Sequence, residues 1–222
     1  MNKINVIETL AHVEQPFTLV QVARVGSLVM HAYVCQGMVE WHKHMDNDEL
    51  FLVRQGWVVL ESEWGNVTLK PDDMAIVPKG VRHRSGSQLR AAVLLVQPAA
   101  MADHKNGHRR LFAIPRENEL NKFKLKQVAS RADSFRPEPV ADMEDLTAQV
   151  MVGEGISPEF VNTLSASLWL VLQGQAQMEA EGETVNMEEG DLIVVGRDVP
   201  HRWSNSGDAV MFLLSRWAEV KC

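Results

Sequence analysis

Short apolar runs, interrupted by glycine, proline and acidic residues, recur along the whole chain. Many of these runs are rich in β-branched and aromatic residues, which is typical of strands that end in tight turns. Strands at this regular spacing favour a sandwich or a barrel over alternating strands and helices. No long segment shows convincing helical periodicity, although residues 115–128 could hold a short helix. The runs expected to form strands include LFLVRQGWVVLESE, MAIVPKG and AAVLLVQP, and later LWLVLQGQAQMEAE, LIVVGRD and AVMFLLSRW.

The two sets of runs belong to an internal repeat. A shift of 118 residues aligns the first half of the chain with the second half without a gap over some 70 positions. A constant offset of this length indicates two copies of one structural unit. We therefore predict one domain at 1–98, a connector at 99–120 and a second domain at 121–222. Matched pairs include Phe17 with Phe135, Gly37 with Gly155, Gly56 with Gly174, Asp73 with Asp191 and His83 with His201.

Composition narrows the class of protein. The chain has 222 residues and a formal charge of −7, which argues against a nucleic-acid partner. Its apolar stretches are too short to span a bilayer, and the N-terminal residues lack the apolar core of a secretory signal. The two cysteines, Cys35 and Cys222, cannot form a disulfide framework. We expect a soluble cytoplasmic protein with neither a membrane nor a nucleic-acid partner.

One group of residues in the first copy carries candidate chemistry. His42 and His44 are two apart, so on a strand their side chains would point to the same face. Glu49 begins the next predicted strand, and His83 follows after Pro78 and Gly80. Three imidazoles and a carboxylate suit a divalent first-row transition metal such as Fe, Mn, Ni, Zn, Co or Cu. On an octahedral ion, this set would leave two positions open.

These residues resemble the two motifs of the cupin superfamily, G-x5-H-x-H-x3,4-E-x6-G and G-x5-P-x-G-x2-H-x3-N. The first copy departs from them in the Gly37 spacing, at Asp72 in place of a glycine and at Ser87 in place of an asparagine. None of these departures affects a metal ligand. The resemblance implies an all-β fold with two tandem double-stranded β-helix (jelly-roll) barrels, that is, a bicupin. It also implies a metal inside the first barrel, held by His42, His44, Glu49 and His83.

The second copy lacks most of this set. The same offset places Phe160 at the position of His42, Asn162 at that of His44 and Ser167 at that of Glu49. Only His201, at the position of His83, is retained. We therefore expect no complete metal site there. The remaining cavity could still bind an organic ligand, with Trp169 and Trp203 as candidate lining residues.

Several residues near the candidate ligands could contact a substrate. We expect Glu40 to lie in water at the barrel mouth and Cys35 to be buried as a small hydrophobic residue. Arg82 and Arg84 bracket His83, so strand alternation points both of them away from the metal. Arg54 could neutralise a carboxylate substrate.

Two classes of function remain open. A divalent metal with free positions could polarise an oxygen-rich small molecule, as a dioxygenase, an isomerase or a decarboxylase would require. Of these we favour an oxygenase-like enzyme, with no catalytic residue assigned beyond the metal ligands. The alternative is a protein that binds or senses a small molecule without catalysis. Pairing of barrels in the cupin superfamily makes a homodimer plausible.

Overall fold

The computed structural model describes residues 2–99 and 119–216, apart from the side chains of residues 206 and 208. The fold is almost entirely β, as predicted. The first half contains β1 (Lys3–Asn5), α1 (Val6–Ala11), β2 (Val20–Val25), β3 (Leu28–Met38), β4 (Glu49–Gln55), β5 (Val58–Ser62), β6 (Gly65–Leu69), β7 (Asp73–Val77) and β8 (His83–Pro98). The second half contains β9 (Lys122–Lys124), α2 (Leu125–Ala129), β10 (Glu138–Met143), β11 (Leu146–Ile156), β12 (Ser167–Gln173), β13 (Gln175–Ala180), β14 (Glu183–Glu188), β15 (Asp191–Val195) and β16 (His201–Ser215).

The strands form two eight-stranded sheets with the same order. One sheet runs β2-β3-β8-β4-β7-β9, and β5 pairs with both β6 and β8. The other runs β10-β11-β16-β12-β15-β1, and β13 pairs with both β14 and β16. Pairing is antiparallel throughout the central strands of both sheets and between β1 and β15. A long central strand, β8 or β16, pairs with three neighbours and organises each sheet.

The first strand of each half pairs with the sheet formed by the other half. β1 pairs with β15, and β9 is the neighbour of β7. The chain accordingly divides into two compact units that are not continuous in sequence. One unit comprises residues 1–12, 22–26 and 124–222, and the other comprises 13–21 and 27–123. The predicted domains at 1–98, 99–120 and 121–222 stay a prediction, and most of that connector lies outside the described residues.

The sequence repeat is reproduced in the backbone. β2, β3, β4 and β7 lie 118 residues before β10, β11, β12 and β15, with identical lengths. The left-handed residues repeat as well: Phe17 and Phe135 have φ of 62° and 55°. Asp72, which replaces the motif glycine, has φ of 65°, and Gly190 at the equivalent position has 87°. The turn therefore requires a left-handed residue, which explains why the cupin motif has glycine there.

Each sheet encloses its own apolar core. Alternate residues of β3, β4 and β8, including Tyr33, Cys35 and Phe51, form one buried cluster, and the equivalent strands around Trp169 and Trp203 form another. The two helices are short. The helix considered for 115–128 is α2, at Leu125–Ala129, while residues up to 118 lie outside the described part. Within the described residues, no helix is long and apolar enough to cross a membrane.

Candidate metal centre

The four candidate ligands lie at the starts of β4 and β8 and in the connection between β3 and β4. Glu49 is the first residue of β4 and His83 is the first residue of β8. His42 and His44 lie in the connection between β3 and β4. The sequence predicted a strand there, but this connection is not a regular strand. His42 forms an isolated bridge to His83, in which the backbone N–H groups donate to each other's carbonyls at 3.0 and 2.9 Å. This bridge holds the two imidazoles side by side.

The structure brings all four side chains together. One potential ligand atom from each of them lies within 4.8 Å of the others. The Glu49 carboxylate is central, with Oε1 at 3.2 Å from His44 Nε2 and Oε2 at 2.9 Å from His83 Nε2. The imidazole of His42 lies 4.4 Å from that of His83 and 5.2 Å from that of His44, between ring centroids. His83 is thus brought to the other three ligands, which lie 34 to 41 positions before it in the sequence.

Hydrogen bonds at the far nitrogen of two rings orient the near nitrogen. His42 Nδ1 lies 2.9 Å from the Glu40 carbonyl, and His83 Nδ1 lies 3.0 Å from the Val81 carbonyl. Since a carbonyl only accepts, each Nδ1 carries a proton, and in the neutral ring Nε2 then presents a lone pair. Such a lone pair on His83 faces another on Glu49 Oε2. A proton or a shared cation must separate them, so the donor set fits a divalent metal.

The electrostatics of Glu49 suit a cation ligand. Burial alone would raise the pKa of this carboxyl. Hydrogen bonds from His44 and His83, together with their charges, outweigh burial and lower the pKa to about 2. Burial also lowers the pKa of His42. Protonated His44 and His83 thus hold the carboxylate ionised, and a bound cation would take the place of those protons.

A turn from the second motif is fastened to the loop of the first. The backbone N–H of Lys79 donates to Asp48 Oδ1 at 2.9 Å, and that of Gly80 donates to the His44 carbonyl at 2.6 Å. These bonds fix the segment that leads into His83. Sequence reasoning missed Asp48 and the two carbonyls that orient the imidazoles. An acidic residue next to Glu49 was the only available signal, because carbonyl positions leave no trace in residue identity.

The interior side of the centre is packed with apolar and aromatic groups. Phe51 presents its ring to His83 at 6.1 Å in an edge arrangement. Tyr33 is buried nearby and shares a hydrogen bond with Ser85, and burial raises its pKa far above the usual range. Cys35 is fully buried, as expected, and burial raises the pKa of its thiol to about 12. The centre therefore has a buried, largely apolar floor.

The other predicted groups point elsewhere. The Glu40 side chain is exposed, as expected, and contributes only its carbonyl. Arg82 and Arg84 both cover the Trp41 ring, at 5.4 and 5.0 Å, and Arg84 also pairs with Glu61. Arg54 was considered as a substrate group, but it is buried and paired with Asp72. Its charge is therefore balanced within the fold.

The second half keeps the same backbone without the ligands. Phe160 and His201 form the isolated bridge that His42 and His83 form in the first half, with N–H donors at 2.8 and 2.9 Å from the carbonyls. His201 Nδ1 lies 3.1 Å from the Val199 carbonyl, again as His83 does. Trp169 borders the cavity at this position. Trp203 was a second candidate, but it is fully buried in the core and does not line that cavity.

Comparisons with known proteins agree with these motifs. The cupin domain family matches residues 146–216, and the family described as homogentisate 1,2-dioxygenase N-terminal matches residues 2–93. The chain belongs to the cupin superfamily.

One relative of this cupin is the protein YdbB of Bacillus subtilis, 29% identical over 94 residues, which are 42% of the chain and 83% of YdbB. Another is homogentisate 1,2-dioxygenase of Rhodopseudomonas palustris, 33% identical over 61 residues. That match covers 27% of this chain and only 14% of that enzyme.

Solved structures similar to this cupin show the same fold. A cupin 2 conserved barrel domain protein from Leptotrichia buccalis matches with a TM-score of 0.74 and 11% identity, over 97% of this chain and 96% of its own. Salicylate 1,2-dioxygenase from Pseudaminobacter salicylatoxidans matches with a TM-score of 0.71 and 13% identity, over 89% and 76%. A variant of that enzyme has been solved in complex with gentisate. At these identities the likeness establishes the fold alone.

Proposed function

We propose that the chain is a bicupin whose N-terminal barrel is a metal-dependent, oxygenase-like enzyme acting on an oxygen-rich small molecule. In this proposal, residues 1–98 are the metal-binding domain, 99–120 the connector and 121–222 a barrel without a complete metal site. The convergence of the four ligand atoms of His42, His44, Glu49 and His83 within 4.8 Å supports it most directly. Dioxygenases among the relatives and structural neighbours agree with the choice of reaction.

The chain's own groups prepare this site for a metal and a substrate. A bound divalent ion would supply Lewis acidity and, if it is redox-active, the capacity to activate dioxygen. The Glu49 carboxylate contributes the negative charge, and the Glu40 and Val81 carbonyls keep the Nε2 lone pairs of His42 and His83 directed at the ion. The apolar floor around Phe51 excludes water from one side, so the substrate approaches from the side of the exposed Glu40.

Metal analysis tests the site assignment. Protein purified without chelators should contain about one equivalent of a first-row transition metal, and a His42→Ala/His83→Ala variant should contain almost none. His201→Ala is the matched control, because it removes the equivalent imidazole of the second half and should leave the metal content unchanged. Equal metal in the double variant and the unmodified protein would contradict the assignment.

Oxygen consumption tests the reaction. Metal-loaded protein should consume dioxygen with at least one member of a panel of catechols, hydroxylated benzoates, diketones and hydroxy acids. The His42→Ala/His83→Ala variant should be inactive with the same compound. A metal-loaded protein that is inactive across the panel would contradict the oxygenase proposal.

Such inactivity would favour the second candidate, a small-molecule binder or a metal-dependent isomerase or decarboxylase. The observation in its favour is that the second half retains an open cavity at the position of the lost ligands. A cavity without a metal set could hold a small molecule but lacks the metal chemistry proposed for the first half. Carbon dioxide release without oxygen uptake would identify a decarboxylase, and substrate rearrangement without oxygen uptake would identify an isomerase.

A further inference from the structure

The cavity of the second half lies where the metal ligands would be if the repeat were complete. It has a volume of about 290 Å³. The residues at the four ligand positions, Phe160, Asn162, Ser167 and His201, all line it. The loss of the ligands has therefore left a space, which the substituting side chains do not fill. A cavity of about 150 Å³ is enough for a benzene molecule, so this one accommodates a substituted single ring.

A single buried group in this cavity lacks a hydrogen-bond partner among the described residues that line it. His201 is 3% exposed, its Nδ1 donates to the Val199 carbonyl, and its Nε2 has no partner. Burial lowers the pKa of His201, although the Val199 carbonyl and Glu159 oppose that shift. The ring is therefore neutral near pH 7, with its proton on Nδ1 and a lone pair on Nε2. A buried acceptor left without a donor costs about 1–3 kcal/mol, which a ligand donor would recover.

The walls around His201 Nε2 are mainly aromatic and aliphatic. The Trp169 ring meets His201 edge-on at 5.6 Å, and the Phe160 ring lies at 5.9 Å on another side. Leu213, Val161 and Leu164 complete the apolar lining. Aromatic rings pack well in such surroundings, with centroids about 4.5–7 Å apart.

Several polar neighbours are already engaged. Ser167 Oγ accepts from Trp169 Nε1 at 3.1 Å, and Asn162 Oδ1 accepts from the backbone N–H groups of Leu164 and Ser165. Arg216 at the rim is paired with Asp145. A carboxylate ligand would meet a lone pair on His201, and no cation among these lining residues stands ready for it. A neutral donor is the better match.

We propose that this cavity binds a small phenol, with the aromatic ring packed against Trp169 and Phe160 and the hydroxyl donating to His201 Nε2. The site is separate from the metal centre, so the proposal does not depend on the proposed enzymatic function. The proposed phenol site uses residues of the second half only, and none of the four metal-ligand candidates takes part in it.

Calorimetric titration with phenol and anisole tests the proposal. The two compounds have similar shape, but anisole has no hydrogen to donate. Phenol should bind the full-length protein at least tenfold more tightly than anisole. A His201→Phe variant, which keeps an aromatic ring of similar size, should lose this preference and bind phenol at least tenfold more weakly.

Two further measurements locate the site. The His42→Ala/His83→Ala variant, which lacks the metal centre, should bind phenol as the unmodified protein does. In the unmodified protein, the ¹⁵N resonance of His201 Nε2 should shift on phenol addition, which gives a readout even if His201→Phe fails to fold. Undetectable phenol binding at millimolar concentration would overturn the proposal. So would equal affinity for phenol and anisole, an unchanged His201 Nε2 resonance, or loss of binding in the metal-centre variant.

Discussion

At the scale of single residues, His83 and His201 show how neighbours decide what an imidazole can do. Both begin the long central strand of their sheet, and both place Nδ1 on the carbonyl two residues earlier. His83 then faces the Glu49 carboxylate, while His201 faces a space beside Phe160 and Ser167. The same backbone thus presents a lone pair to a metal site in one half and to an apolar cavity in the other.

The buried ion pair of Arg54 and Asp72 leads to a residue-scale prediction. Removing the guanidinium in Arg54→Met would leave the carboxylate of Asp72 buried without its counter-charge, which costs about 3–5 kcal/mol. Asp72 occupies a left-handed turn where the cupin motif has glycine. The double variant Arg54→Met/Asp72→Gly should therefore recover most of the stability. Urea unfolding measures both, and an equally unstable double variant would contradict this explanation.

At the scale of secondary-structure elements, the exchange of β1 and β9 is supported by the same contacts on both sides. Lys3 Nζ pairs with Asp191 at 2.7 Å and donates to the Asn186 carbonyl. Lys122 Nζ pairs with Asp73 at 3.4 Å and donates to the Thr68 carbonyl. The offset between the two lysines is 119, one more than in the rest of the repeat. The second copy therefore has one residue fewer between Lys122 and Phe135 than the first copy has between Lys3 and Phe17.

Asn5 connects β1, α1 and β15, so its substitution tests the exchanged strand. Its Oδ1 accepts from the N–H groups of Ile7 and Glu8, and its Nδ2 donates to Asp191 Oδ1 at 2.9 Å. Asn5→Ala loses the helix cap and a bond to a buried carboxylate, about 2 kcal/mol or more in total. Asn5→Ser retains a capping hydroxyl, so the decrease in the free energy of unfolding should be roughly half as large. Equal unfolding midpoints for the alanine variant and the unmodified protein would rule out this role.

The turn between β4 and β5 gives a second element-scale prediction. Gly56 has φ of +74°, and a Cβ there would lie 2.8 Å from both Ala91 Cβ and the Arg90 carbonyl oxygen. Gly56→Ala should therefore combine backbone strain, about 1–3 kcal/mol, with a clash against β8. Gly65→Ala is the control, since Gly65 has φ of +106° but open space around it. Thermal unfolding should show a clearly larger decrease in stability for Gly56→Ala than for Gly65→Ala. Equal decreases would contradict a clash with β8.

At the scale of the whole molecule, metal binding should be linked to stability. A metal that binds only the folded protein, present at 100 times its dissociation constant, stabilises by about 2.7 kcal/mol. For a chain of this length that raises the unfolding midpoint by roughly 5–10 °C. Excess EDTA should remove this increment from the unmodified protein and from His201→Ala. The His42→Ala/His83→Ala variant should show no dependence on EDTA, and any comparable shift in it would point to a metal elsewhere.

Much of the molecule could be predicted from local pattern. The 118-residue offset is reproduced strand by strand in β2, β3, β4 and β7 and their counterparts. The four metal-ligand candidates were found because motif spacing relates residue types to strand ends, and the structure places them together. By contrast, His42 and His44 were expected on a strand, yet one backbone bridge between His42 and His83 sets the position of His42. A pairing between residues 41 positions apart has no local signature.

The sequence by itself determined the all-β fold, the duplication and the identity of the candidate ligands, because alternation and spacing are local properties of residue type. Only the tertiary structure decided which sheet receives β1 and β9, since a three-residue strand carries too little pattern to specify a partner. It also decided the orientation of the imidazoles, which depends on backbone carbonyls of Glu40 and Val81 whatever their side chains are. The open cavity beside His201 depends, in the same way, on how much space Phe160, Asn162 and Ser167 leave unfilled.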